Sequence, residues 1–296
     1  MADQAEKLRT SFQARAPETD FPGFRASGSL SRIFTVASGK GGVGKTSLVV
    51  NLGLALTRIG YKVVIIDADL GLANIDVMVN TVPRFNLSDV VNGTKNLREI
   101  IVKGPLDMKI VPGGSGFYDL ANLDRVKRAT LLEQFSDLEN EGDYILIDTS
   151  AGISRHVISF IGAADDFLLV TTPEPTALTD AYGMLKVVAE KGFKEKSHVV
   201  VNLTRGINQG HKIYSGLNRV VDKYLPSMEL NYLGEVRYDP VVSTAVHNFC
   251  PFVISRPQSA ASTAISRIAW RVAANGEAEM PSRRGIAGFI DRLRGQ

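Results

Sequence analysis

The 296-residue chain is 44% apolar and 22% charged, the balance of a globular protein long enough for one large α/β domain with short appendages. A formal net charge of +3 is too small to argue by itself for nucleic acid, and the lone Cys250 excludes an intramolecular disulfide and a Cys-x-x-Cys metal site. No apolar signal core opens the sequence and no apolar run is long enough to span a bilayer, so a cytoplasmic location is expected.

Residues 1–30 read as an appendage. Ala5, Leu8 and Phe12 share one helical face, and Pro22, Gly23, Ser27, Gly28 and Ser29 then read as a flexible linker. By itself such a segment is a frayed terminal helix.

Ile33 to Ala37 follows as a buried strand, and Thr46 to Leu56 as a helix. Between them Gly39-Lys40-Gly41-Gly42-Val43-Gly44-Lys45-Thr46 fits the phosphate-binding loop G-x-x-x-x-G-K-[ST]. Its glycines let successive N–H groups turn toward phosphate oxygens, beside the positive end of the helix dipole. Lys45 is expected at the β- and γ-phosphates, Thr46 at Mg²⁺, and Ser47 in the same nucleotide contact. A second lysine, Lys40, is in isolation a solvated loop charge.

Lys62 to Asp69 reads as a strand buried on both faces and ending in two carboxylates, Asp67 and Asp69. Such ends line the ligand crevice of open α/β sheets, although two acids there also suit a solvated loop. Asn86 to Gly93 reads as a short helix closed by glycine, Lys109 to Ser115 as a strand entering a glycine turn, and Asp124 to Asn140 as a helix. Tyr144 to Asp148 is a third buried strand ending in an acid. Asp148 is expected to bind Mg²⁺ through water, and the Gly152 N–H to meet the γ-phosphate.

Strands follow at Phe167–Thr172 and Lys196–Asn202, with a helix opening at Pro175. Gly234 to Pro240 ends the last strand, where it would close over a base, and Gln258 to Ala274 reads as a core helix that packs Trp270. After a polar linker, Ile286, Phe289, Ile290 and Leu293 form one apolar helical face among four arginines, Arg283, Arg284, Arg292 and Arg294. That helix either docks on its own domain or lies in a membrane interface. The domain boundaries read as 1–30, 31–275 and 276–296.

The stretch Lys40-Gly41-Gly42-Val43-Gly44-Lys45-Thr46 resembles the deviant Walker A motif of the MinD/ParA ATPase family. The resemblance implies a doubly wound, mostly parallel P-loop fold of the SIMIBI type. It also implies an ATP-dependent homodimer in which Lys40 crosses to the partner's nucleotide. Residues 67–76 resemble the family's switch I, making Asp69 the residue that orients the attacking water and Asp67 one that tunes the metal shell. Asp148 to Gly152 resembles switch II, with Ser150 where proline is common. Asn202 then falls where the family reads adenine, although an asparagine there also suits a turn. Arg205 and Asp239 are weaker candidates for contacts near the base. The lack of an Asn/Thr-Lys-x-Asp guanine motif favours ATP.

Asp3, Gln4, Ala5, Leu8 and Arg9 are similar to the N-terminal motif of the flagellar-number (FlhG) branch of that family. This implies binding to, and stimulation of, a flagellar SRP-type GTPase, FlhF, with C-ring proteins or a flagellar transcription factor as further partners. It also implies a C-terminal helix that binds the inner face of the cell membrane reversibly. Slow Mg²⁺-dependent ATP hydrolysis and no specific nucleic acid are the matching expectations. A ParA-like DNA-partitioning ATPase and a regulator acting by contacts without hydrolysis are the alternatives.

Overall fold

A computed structural model describes residues 31–69, 74–113, 134, 138, 141–278, 289, 292 and 293. Among them an eight-stranded sheet runs in the order β3-β4-β2-β5-β1-β6-β7-β8. The strands are β1 Arg32–Ser38, β2 Val63–Ala68, β3 Val102–Lys103, β4 Lys109–Val111, β5 Tyr144–Ala151, β6 Asp166–Thr171, β7 Lys196–Thr204 and β8 Glu229–Arg237. Only the short β3 runs antiparallel, and it sits at one edge; the remaining pairs are parallel. The expected doubly wound, mostly parallel fold is what forms.

Central strands are apolar on both sides because helices cover both. Phe34, Val36, Ile65, Leu146 and Leu168 pack toward α1 (Lys45–Arg58) and α10 (Ala260–Ala278). Their sequence neighbours point to the opposite face. There Ile33, Val64, Ile66, Ile145 and Ile147 meet α3 (Leu87–Val91), α4 (Leu97–Ile100) and α5 (Arg155–Ala163). Further along that face Phe167, Leu169 and Val199 meet α6 (Pro175–Glu190) and α7 (Gln209–Tyr224). The remaining α-helices among the described residues of the domain are α2 (Asn74–Met78), α8 (Pro240–His247) and α9 (Phe252–Ser255).

β1 lies between β5 and β6, where the order of the sheet reverses. The loop leaving its C-terminal end therefore opens into the crevice where such sheets bind ligands.

The opposite end of the sheet carries a buried polar network. Arg32 donates from Nε and a terminal nitrogen to the two Asp166 oxygens at 2.5 and 2.8 Å, and His198 Nε2 lies 3.1 Å from Asp166 Oδ1. Burial alone would raise the Asp166 carboxyl, but hydrogen bonds from His198 and Arg32 outweigh it and hold the group at about 2.

Several expectations need adjustment. Asp148 lies inside β5 rather than at its end, because β5 runs on through Ala151, which pairs with Ser38; Asp67 is the penultimate residue of β2. Ser150 keeps the backbone N–H that a proline there would lack. Trp270 does not pack: it is 53% exposed on the outer face of α10. Helical spacing put it on a helix, but on the side away from Ile265, Ile268 and Val272, which fill the core. Residues 1–30, most of the helix expected at 124–140, and Ile286 and Ile290 lie outside the described residues.

A candidate nucleotide site at the switch point

The loop from Gly39 to Gly44 joins β1 to α1, and Gly44 stands at α1's N-terminus with φ 83°. A side chain there would be strained, and its Cβ would fall 2.5 Å from Asn202 Nδ2. Glycine is thus required twice over, by backbone conformation and by the approach of β7. Gly41 and Gly42 are exposed on the outer side of the loop, whereas Val43 is buried and anchors it to the core.

The chemistry gathers beneath this loop. Lys45 Nζ donates to Asp148 Oδ1 at 2.5 Å, with the two side chains 7% and 0% exposed. Burial raises the Asp148 carboxyl, while Lys45 and a hydrogen bond with the Thr46 side chain pull it down. Asp67 pairs in register with Asp148 across β2 and β5. Its carboxyl is pushed up to about 7, chiefly by burial and next by the neighbouring Asp148. Asp69 faces both carboxylates from the end of β2, and its N–H donates to Asp67 Oδ1 at 3.1 Å.

These residues fit Mg²⁺. Asp67 Oδ2 and Asp148 Oδ2 are buried without a hydrogen-bond partner among the described residues, next to the Thr46 hydroxyl. A set of hard oxygen donors, unsatisfied and clustered beside a phosphate loop, suits a hard divalent cation. Asp148 and Thr46 are placed to hold it, with Asp67 beside them.

Two expected contacts are made differently. The Gly152 N–H donates to the Ser38 carbonyl at 2.8 Å, not into the loop, because the extended β5 pairs with β1 to that point. Gly152 has φ 93°, so the chain turns away there in a conformation that favours glycine. Lys40 turns to its own chain: Nζ donates to Glu174 Oε2 at 2.7 Å and to Thr176 Oγ1 at 2.9 Å. Glu174 and Thr176, at the start of α6, were missed from the sequence. An acid just before a helix-opening proline was the available signal.

Above the loop a cavity of about 190 Å³ lies between β7, β8 and α8, lined by Gly44, Leu48, Asn202, Tyr238, Val242 and Phe252 among others. Asn202 is 8% exposed, and its Nδ2 donates to Val43 O at 2.8 Å. Its Oδ1 accepts no hydrogen bond from the described residues. The Arg205 guanidinium lies over the Tyr238 ring, 5.3 Å from its centroid, and so props one wall. Asp239 lines the same cavity but is otherwise engaged: Oδ1 caps α8 at Val241 N and Oδ2 accepts from Ala261 N. It positions α8 and α10 rather than offering a free carboxylate.

The C-terminal appendage meets the domain away from this site. Phe289 is 1% exposed and stacks on Phe160 of α5, ring centroids 6.4 Å apart, with Leu293 packed against the same core. Arg292 donates to Ala163 O at 2.6 Å and to Asp165 Oδ1 at 3.0 Å. Of the four candidate membrane residues, the two described ones thus cover α5.

Loop, buried lysine and strand-borne carboxylates on a doubly wound parallel sheet define a P-loop nucleotide-binding protein. A family model described as an AAA domain matches residues 31–201. The chain is 38% identical to antiactivator FleN of Pseudomonas aeruginosa over 81% of its length and 86% of the relative. It is 32% identical to the flagellum site-determining protein YlxH of Helicobacter pylori, over 99% of this chain and 98% of the other. The structure also superposes on the septum site-determining protein MinD of Pyrococcus horikoshii, solved with Mg-ADP. That match has a TM-score of 0.65 and 25% identity, covering 85% of this chain and all (100%) of that one. This chain belongs to the MinD/ParA family of P-loop ATPases.

Proposed function

We propose that this protein is an ATP-driven dimerising switch that controls flagellar number and placement. The observation that carries the reading is the convergence of Lys45, Thr46, Asp67 and Asp148 under the phosphate loop. The chain's 38% identity to an antiactivator FleN sets the biological context. The mononucleotide is ATP, with Asn202 Oδ1 accepting from the adenine amino group and Lys45 moving from Asp148 toward the β- and γ-phosphates. Thr46 and Asp148 would hold Mg²⁺, which would neutralise charge on the phosphate oxygens. Asp69 orients the attacking water, and turnover is slow.

Lys40 leaves Glu174 and Thr176 to reach the nucleotide of a second copy, so ATP and dimerisation are coupled. The terminal helix, whose Phe289 and Leu293 now cover α5, engages the inner face of the cell membrane when released. Each arginine near an anionic leaflet contributes about 1 kcal/mol, so two tails on one dimer bind far better than one. Residues 3–9 bind the flagellar GTPase FlhF and stimulate it, and C-ring proteins or a flagellar transcription factor complete the partner set.

Co-sedimentation with anionic liposomes tests this reading, with ATP or ADP, for the intact protein and for a chain ending at Asn275. Binding that needs both ATP and the tail supports the switch. Binding indifferent to nucleotide makes the tail a constitutive anchor, and absence of binding removes the membrane step.

A further inference from the structure

A second cleft, of about 450 Å³, lies where β8, α7 and α10 meet. It shares no lining residue with the nucleotide cavity. Arg267 and Arg271, one turn apart on α10, form one wall, and His211 of α7 and Asn208 just before that helix form the other. Tyr232 and Glu235 of β8 make the floor.

The polar groups are divided unevenly. Glu235 is committed: one oxygen accepts from Gly210 N at the start of α7, and the other lies 3.8 Å from Arg237 Nε. Burial first, and Glu235 second, push the Tyr232 phenol up to about 12, so it remains a hydroxyl donor at neutral pH. Arg271 donates to Leu233 O at 2.8 Å, which fixes one guanidinium at the rim. Arg267 is exposed and has no hydrogen-bond or ion-pair partner among the described residues. The cleft therefore presents positive charge and donors with its one acid already engaged.

Trp270 stands beside these arginines on the outer face of α10, 53% exposed. An exposed tryptophan flanked by two arginines has the composition of a protein-interface centre, where aromatic and arginine side chains dominate binding. β8 is the outermost strand at its end of the sheet, but two of its carbonyls are already taken. Tyr214 Oη donates to Leu230 O at 2.7 Å, and Arg271 covers Leu233 O. Recognition here runs through side chains rather than by adding a strand. The arginines line a concavity, a shape that suits a protruding segment better than a flat lipid surface.

We infer that this cleft docks an acidic segment of a partner protein, its carboxylates on Arg267 and Arg271 and its apolar flank on Trp270. The inference is independent of the nucleotide site and of the tail.

Trp270 is the single tryptophan and adjoins the lining residue Arg271 in sequence, so its emission follows the rim of the cleft. Its emission is followed while adding a blocked hexapeptide of alternating aspartate and glutamate, a neutral hexapeptide, inorganic phosphate, or phosphatidylglycerol vesicles, without added nucleotide. A saturable change with the acidic peptide alone, weakened roughly tenfold in Arg267→Gln, is expected for loss of one charge-assisted contact. Arg267 makes no hydrogen bond or ion pair with the described residues, so this variant remains informative even if Arg271→Gln, which frees Leu233 O, fails to fold. An equal response to phosphate would make the cleft a small-anion site and overturn the inference. A response to vesicles alone would make α10 a membrane face, and no response to any probe would remove the site; both outcomes overturn it as well.

Discussion

Lys45 Nζ and Asp148 Oδ1 lie 2.5 Å apart in the interior, tying the phosphate loop to β5. Each is the other's charge partner, so removing one leaves a buried uncompensated ion, a loss of about 3 kcal/mol or more. Lys45→Ala should therefore lose ATP binding and also lower the thermal midpoint. Adding Asp148→Asn to that variant should restore much of the midpoint but none of the binding. Thermal melts alongside fluorescent-nucleotide titrations check both halves.

Asp69 follows β2, half-buried, and its negative charge is felt by Asp67 and Asp148. Asp69→Ala should keep ATP affinity within a few-fold, roughly, and lower turnover by about 10²-fold or more, the scale of a lost acid–base or water-positioning group. Single-turnover hydrolysis with a parallel binding assay decides this. Normal turnover would end the assigned role.

Asn202 uses Nδ2 on Val43 O, and the proposed function gives its Oδ1 to the adenine. Asn202→Asp keeps an acceptor but loses the donor to the loop. Asn202→Ala loses both and should weaken ATP by about tenfold, near the worth of one buried hydrogen bond. Competition of ATP and GTP for the site measures it. Loss of preference for ATP is expected in the alanine variant, and an unchanged ratio would place base reading elsewhere.

The Asp166 carboxyl is held at about 2 against an ordinary value of 3.8. A lowered folded value contributes stability that is complete above the unfolded value and is lost as pH falls through the folded one. Asp166→Asn should therefore lower the urea midpoint at about pH 5 and above, and the gap to the parent should narrow as pH falls from about 4 toward 2. Denaturation curves across that range test the sign.

Phe289 is buried on Phe160, and Arg292 bonds Ala163 and Asp165. Phe289→Asp should undock the terminal helix and also spoil its apolar face, abolishing liposome binding. Asp165→Asn should loosen docking while leaving every residue of the tail intact, so binding in ADP should rise. Hydrogen exchange at 289–293 separates the two variants from a general loss of fold.

The amino-acid sequence by itself determined the phosphate loop, the β–α alternation and the order of the carboxylate-bearing strands. These depend on local spacing: glycines that permit one turn, apolar runs that require burial on both faces, and acids placed at a set distance along a strand. The family followed from the same residues. Only the tertiary structure decided that Lys45 pairs with Asp148, that Asn202 closes on Gly44, and that Lys40 is held by Glu174 and Thr176. It also decided that Trp270 faces outward and that Phe289 is covered by α5. Each of these is a meeting of side chains far apart in the chain. Periodicity marks which face of a helix is apolar, but what comes to cover it depends on how the sheet brings distant segments together.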